Sequence, residues 1–277
     1  MSAPRLLPTI SPFSPAPTSR CFRTDAAGRI ALRRDWPALF REITRLPAVA
    51  FQTRHAYARL VHYGPLPELE WSSSGAIARD QSSSIHLRCA SWGDAWGRIA
   101  PCDCCGSPGR IEILNTHGAE FLQLCSAADR TLAEWASSLA RLAAPLPRFE
   151  PARRPAVGFD LAPDGLRTVA ADGELLPILF SALLRENLPV RAMLRTPEAT
   201  QIRALAPAHA FVDADVLSVG DGRTTLQLAL APVRRLALAS DDSLHVAGPG
   251  GTLLLSLAAA EGESRRWSAA VHALLET

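Results

Sequence analysis

The chain has 277 residues, of which 48% are hydrophobic and 20% charged, with a formal net charge of +2. Its length allows one large domain or two of moderate size, each with a substantial core. So small a net charge argues against a general nucleic-acid binder, and no apolar run approaches the roughly 20 residues that membrane insertion needs.

The chain begins with a segment rich in Pro and Ser, "MSAPRLLPTISPFSPAPTSR". It lacks the continuous apolar stretch of a secretory signal, so residues 1–28 are predicted to be a disordered tail. The cytoplasm is therefore the expected location.

Two later segments, 29–143 and 173–277, begin with similar patterns. Pro37–Thr53 ("PALFREITRLPAVAFQT") and Pro177–Thr196 ("PILFSALLRENLPVRAMLRT") both place Leu-Phe near the start of a helical stretch. A Leu-Pro pair then predicts the end of the helix, because proline lacks the amide donor, and an apolar strand follows. The first half of the chain thus predicts a helix and a strand that the second half repeats.

The two segments also end alike. Gly118 and Gly250, 132 positions apart, each fall between two short strands and predict a hairpin turn. A helix follows in both, led by Trp135 in one and Trp267 in the other, and this repetition predicts that both indoles are core residues. The predicted fold class is α+β, a tandem structural repeat in which each half is an antiparallel β-sheet flanked by helices. The Pro-rich residues 144–172 are predicted to be the linker.

This order of landmarks resembles the HemS/ChuS-type haemin-degrading and haem-trafficking proteins of bacterial haem uptake and iron acquisition. The resemblance runs from about Asp35 to Leu275 and concerns spacing more than identity. It implies a HemS-like tandem repeat that binds haem between sheet and helix.

Arg88 is the polar contact that the resemblance implies. The family carries Leu-Arg on the strand before a Trp, and that arginine faces the haem; here Leu87-Arg88 precedes Trp92. His86 is two positions away and should point to the same face of the strand. The alternative for Arg88 is an ion pair on a solvated sheet face.

The family takes its axial iron ligand from a histidine between the two halves, but no histidine occurs between Ala144 and Gly173. His209, in the apolar stretch "LAPAHAFVD", is the predicted substitute, since an apolar loop could place it over a cleft. Because the expected ligand is missing, binding or transport is favoured over haem degradation, which would be oxygen-dependent porphyrin cleavage with electrons supplied from outside.

Other residues allow competing interpretations. Cys102, Cys104 and Cys105 in "PCDCC" could bind a soft metal, although a reduced hairpin loop is the simpler interpretation. An aromatic slot for a porphyrin could use three further residues: Trp71, Trp92 and Trp96.

The predicted function is therefore a cytoplasmic haem (haemin) binding, trafficking or utilisation protein. Its cofactor or cargo is haem, and its partners are haem and a haem importer or haem oxygenase, without nucleic acid. The alternatives are a divergent interaction or structural module of the same fold that does not bind haem, and a thiol metal-binding protein.

Overall fold

The computed structural model describes the chain in several stretches: residues 28–46, 48–79, 83–100, 107, 109–126, 132–145, 159–160, 166–170 and 173–275. The predicted N-terminal tail, apart from Gly28, and the three clustered cysteines Cys102, Cys104 and Cys105 lie outside the described residues.

Each half contributes the same series of elements. The first half contains β1 (Arg29–Ala31), α1 (Trp36–Thr44), β2 (Val49–Arg54), β3 (Ala58–Gly64), β4 (Glu70–Trp71), β5 (Ala76–Arg79), β6 (Ser83–Leu87), β7 (Trp92–Arg98), β8 (Arg110–Asn115), β9 (Glu120–Ser126) and α2 (Leu132–Leu142). After β10 (Phe159–Asp160), the second half contains β11 (Arg167–Ala170), α3 (Leu175–Arg185), β12 (Val190–Arg195), β13 (Ala199–Leu205), β14 (His209–Asp213), β15 (Val216–Gly220), β16 (Thr224–Ala229), β17 (Arg235–Leu238), β18 (Leu244–Ala247), β19 (Thr252–Ala259) and α4 (Ser264–Leu275).

The strands form two antiparallel sheets. The first sheet has the order β1-β7-β8-β9-β2-β3-β16-β15-β14, and the second has the order β11-β17-β18-β19-β12-β13-β6-β5-β4, with β10 beside β19. Element by element, the second half repeats the first, which confirms the predicted α+β tandem repeat. The halves also exchange strands: β4–β6 complete the second sheet through the pairing of β6 with β13, and β14–β16 complete the first through the pairing of β16 with β3.

The helices bury the apolar side of each sheet. Trp135 on α2 packs with Leu39 and Phe40 of α1 in one hydrophobic cluster, and Trp267 on α4 packs with Phe180 of α3 in another. Both tryptophans are only 1% exposed, so the prediction that they are core residues is confirmed. Among the described residues, no helix combines the length and the apolar character needed to span a bilayer.

The turns follow from local sequence. The Asp35 carboxylate accepts a hydrogen bond from the Ala38 amide at 3.1 Å and caps α1. Helix α3 ends before Leu188-Pro189, where Asn187 adopts a φ of 48°. Gly118 and Gly250 have φ values of 79° and 67°, which confirms the positive φ expected from the hairpin pattern.

Buried polar contacts join the two sheets. The His55 Nε2 lies 2.8 Å from the Leu254 carbonyl oxygen, so the imidazole donates from the β2–β3 turn to β19. The Gln201 side-chain carbonyl accepts a hydrogen bond from the Thr53 amide at 3.2 Å. Because His55 and Gln201 are buried, these bonds fix how the sheets pack as well as satisfying polar atoms.

Candidate functional site

One face of the second sheet points away from the helices, and we call it the open face. Antiparallel partners share a face, so its residues follow from the strand register. One row across the strands contains Arg79, Ser84, Ile202, Met193, Ser256 and His245. The next row contains Ile77, His86, Thr200 and Arg195.

A groove of about 410 Å³ lies on this open face. Met193 and Ile202 supply its apolar surface, and Arg191, His245 and Ser256 supply polar groups. Its size falls in the range of about 300–1,000 Å³ that is usual for small-molecule sites, and its mixture of apolar and polar lining is also usual for them. The groove can hold a flat apolar ligand with a charged edge.

His245 is held in the groove by two hydroxyl groups. Its Nδ1 lies 2.8 Å from Ser256 Oγ and its Nε2 lies 3.1 Å from Ser243 Oγ. Because the Ser243 hydroxyl donates to Asp241 at 2.6 Å, Nε2 is the donating nitrogen and Nδ1 accepts from Ser256. Burial lowers the pKa of His245, although the charge of Asp241 opposes this. The imidazole is therefore neutral near pH 7, the state in which histidine binds metals.

Arg88 lies at the end of β6 and is fixed by the β12–β13 turn. Its Nε donates to the Pro197 carbonyl at 2.6 Å, Nη1 donates to Thr200 Oγ1 at 3.2 Å, and Nη2 donates to the Thr196 carbonyl. Burial and the positive charge of Arg195 lower the pKa of Arg88. A guanidinium has five N–H groups, so two remain beyond these three bonds to the described chain. Arg88 thus fastens the end of β6 to the β12–β13 hairpin, and its contact with a ligand stays a prediction.

His86 and Arg88 lie together, but His209 does not join them. His86 is half-buried on the open face, and burial lowers its pKa, as do the charges of Arg79 and Arg88. His209 is exposed on β14, at the edge of the other sheet, and its ring stacks on Phe211 with centroids 6.0 Å apart. It lies on a strand where the sequence suggested an apolar loop, and its role in binding stays a prediction.

Strand pairing adds residues to this site that sequence reasoning did not single out: Arg191, Met193 and His245. The strand pattern of "RAML" could have indicated two of them. Arg191 and Met193 are two positions apart on β12 and therefore lie on the same face of the sheet. The open face also carries four guanidinium groups, those of Arg79, Arg88, Arg191 and Arg195. Arg191 lines the groove itself, and so does the Asp241 carboxylate.

The matching face of the first sheet carries buried polar side chains among its apolar ones. Gln52, the repeat equivalent of Met193, is 1% exposed, and its amide lies 3.4 Å from the carbonyl oxygen of Gln123. Glu112 is also 1% exposed and forms an ion pair with Arg110 at 2.7 Å. The repeat therefore presents a groove on the second sheet and buried polar side chains on the matching face of the first.

The predicted aromatic slot is wrong for two of its three tryptophans. Trp92 packs edge-on against Trp36 at 5.0 Å within the core of the first half. Trp96 is buried under the guanidinium of Arg29, which lies 5.5 Å from the ring centroid. Trp71 lies 5.8 Å from the ring of Phe40 and packs against the same core. These rings stabilise the fold because their neighbours enclose them.

The described residues contain no group of three or more His, Cys, Asp or Glu side chains able to hold a metal ion by themselves. The Cys89 thiol is half-buried, and burial raises its pKa to about 11, so it is protonated near neutrality. The proposed site for a soft metal at Cys102–Cys105 falls outside these residues and stays a prediction.

Three histidines with lowered pKa values predict a pH-dependent stability. Burial is the main cause for His55, His86 and His245. In the unfolded chain these histidines bind protons near pH 6.5, whereas in the native state they bind them only at lower pH. The free energy of unfolding is therefore greatest above about pH 6.5 and decreases below it. We therefore expect the free energy of unfolding, measured in urea, to fall between pH 7 and pH 5. His55→Gln should flatten this slope, and the exposed His117→Gln should not; equal slopes in all three proteins would contradict the assignment.

This chain has the HemS/ChuS-type fold. It is similar to holo-PhuS, a haem-binding protein from Pseudomonas aeruginosa, with 17% identity and a TM-score of 0.71 over 87% of this chain and 86% of that one. It is also similar to ChuS, an Escherichia coli haem oxygenase, with 13% identity and a TM-score of 0.74 over 89% of each chain. No family model and no curated protein sequence matches it.

Proposed function

We propose that this chain binds haem in the groove on the open face and passes it on to another protein. The observation that carries the proposal is a groove in which half-buried His245 lies on the same face as apolar Met193 and Ile202 and as Arg191. An iron porphyrin is flat and apolar, has two carboxylates on one side and takes imidazole as an iron ligand.

The residues present fit such a ligand. Met193 and Ile202 would contact the ring and exclude water from it, and Arg191 would bind a propionate. Arg88 and Arg195, farther along the same face, are further candidates for the carboxylates. His245 would bind the iron through Nε2 in place of its bond to Ser243, with the ring proton on Nδ1 and donated to Ser256 Oγ, which would orient the ring. The bound iron would supply the capacity for redox chemistry and for binding small ligands.

The comparisons support the proposal at the level of the fold. Both PhuS, described as haem-binding, and ChuS, described as a haem oxygenase, share this architecture at 13–17% identity. The proposal that the ligand is haem rests on the groove residues, because a shared fold does not by itself define a ligand.

Binding is favoured over degradation because porphyrin cleavage needs electrons from outside. The sequence contains neither a dinucleotide fingerprint nor a histidine between Ala144 and Gly173. The chain then acts between a haem donor, such as an importer, and a haem acceptor, such as an oxygenase. An open face suits that role, since the ligand can leave without unfolding the core.

A titration of the full chain with haemin and, separately, with metal-free protoporphyrin IX tests the proposal. We expect saturable binding of one equivalent of each, seen in the Soret band for haemin and in tryptophan quenching for both. A variant with Cys102, Cys104 and Cys105 changed to serine should bind equally well. If neither porphyrin binds saturably, the fold serves as an interaction module; if only the serine variant loses binding, the thiol site is the ligand site.

A further inference from the structure

β14 ends the first sheet with an apolar edge. Phe211 is 53% exposed and Val212 is 46% exposed, and the outer side of this strand pairs with no strand in the described part of the chain. Edge strands are usually protected by charges, proline, bulges or short length, because their free amides and carbonyls attract other strands. β14 has five residues in regular register with β15 from His209 to Asp213, and no charge, proline or bulge lies between its ends. Helix α3 packs against this strand.

The repeat provides an internal comparison. β4 occupies the equivalent edge of the second sheet, but it contains only Glu70 and Trp71, and Glu70 is exposed. That edge is therefore short and charged. Since both edges arise from the same unit, the longer apolar edge on β14 is a specific feature of the second half.

The sequence of β14 is complementary to itself. Antiparallel pairing of "HAFVD" with a second copy, centred on Phe211, places His209 opposite Asp213 at both ends. The two Phe211 side chains then face each other, and Ala210 lies opposite Val212. His209, Phe211 and Asp213 share one face because side chains alternate along a strand. Cross-strand aromatic pairs and opposite charges both stabilise antiparallel strands.

The local structure holds this edge in place. The His209 ring lies over Gly220 of β15, where an added Cβ would come within 2.6 Å of it, and stacks on Phe211. Helix α3 packs against β14 and carries Ile178, which is 55% exposed. The edge is therefore supported by its own core and presents a fixed surface.

We propose that β14 is a dimerisation edge, at which two copies of this chain pair antiparallel about a two-fold axis through Phe211. The first sheets of the two copies then form one continuous sheet. The contact is isologous, so each copy contributes the same residues and the assembly closes at two. The open face belongs to the other sheet, so this inference does not depend on haem binding.

Sedimentation velocity of the full chain, with a charge exchange at the edge, tests the proposal. The parent should dimerise, and His209→Asp should weaken the dimer roughly 10- to 100-fold because it places carboxylate opposite carboxylate. The double variant His209→Asp with Asp213→His should recover dimerisation to within a few-fold. His117→Asp, an exposed substitution in the β8–β9 turn, should leave the dimer unchanged. A monomeric parent, or a dimer unaffected by His209→Asp and the double variant, would overturn the proposal.

A cross-link provides a second measurement. Residues directly opposite in antiparallel strands have Cα atoms about 4.5–5.5 Å apart, within reach of a disulfide. Phe211→Cys should therefore give a covalent dimer under mild oxidation, well above the level in the parent chain. Arg265→Cys, at an exposed position on α4, is the matched control, and its cross-linking should stay at the level of the parent. Equal cross-linking of the two variants would contradict pairing at this edge.

Discussion

Met193→Glu is expected to weaken haemin binding at least roughly 100-fold, which corresponds to about 3 kcal/mol. The substitution puts a carboxylate into the apolar part of the groove, where it would be desolvated by the ring and repelled by the propionates. The measurement is a haemin titration followed in the Soret band. Circular dichroism and thermal unfolding of the same preparation show whether the variant is folded.

Ile178→Glu is the matched control, because it makes the same change at an exposed apolar residue on α3, away from the open face. It should bind haemin like the parent. If Met193→Glu is folded and binds haemin with the affinity of the parent, the open face is not the binding site. A comparable loss in both variants would indicate nonspecific adsorption of haemin to apolar surface.

His245→Ala is expected to change the absorption spectrum of bound haemin and to leave the affinity for metal-free protoporphyrin within about threefold of the parent. Removal of the imidazole would remove the proposed ligand of the iron but few contacts with the ring. The Soret maximum should shift, and added free imidazole should restore the position seen in the parent. The metal-free porphyrin separates loss of the iron ligand from loss of the groove.

His86→Ala and His209→Ala complete this experiment. Both residues were candidates from the sequence, but His86 lies about 19 Å from His245 across four strand spacings, and His209 lies on the other sheet. Neither variant should alter the Soret maximum. If one of them does and His245→Ala does not, the iron ligand is that histidine and haem occupies a different place. If none does, the iron takes its ligand from outside these three residues.

Much of the architecture could be read from the chain. The paired landmarks of Gly118 with Gly250 and of Trp135 with Trp267 predicted the repeat, because turns and helix faces depend on nearby residues. The core role of both tryptophans followed from the same comparison. The exchange of strands between halves was not predicted, because pairing of β6 with β13 joins residues more than 100 positions apart without a local signal.

The candidate site was only partly accessible to sequence reasoning. Arg88 and His86 were found through their position before Trp92, and both lie on the open face. His245 was one of seven histidines, and nothing near it in sequence marks it as different. Its significance comes from Ser256 on the next strand and from Met193 one strand farther, which the register places beside it.

By itself, the sequence determined the repeated unit and the positions of its arginines, since composition and short-range periodicity are properties of the chain alone. The tertiary structure decided which sheet stays open. Repeat-equivalent faces carry Gln52 in one half and Met193 in the other, and only the packing around them made the first a buried polar surface and the second a groove. The physical reason is that a binding face is assembled by hydrogen bonds between distant strands, and its exposure depends on everything packed against it.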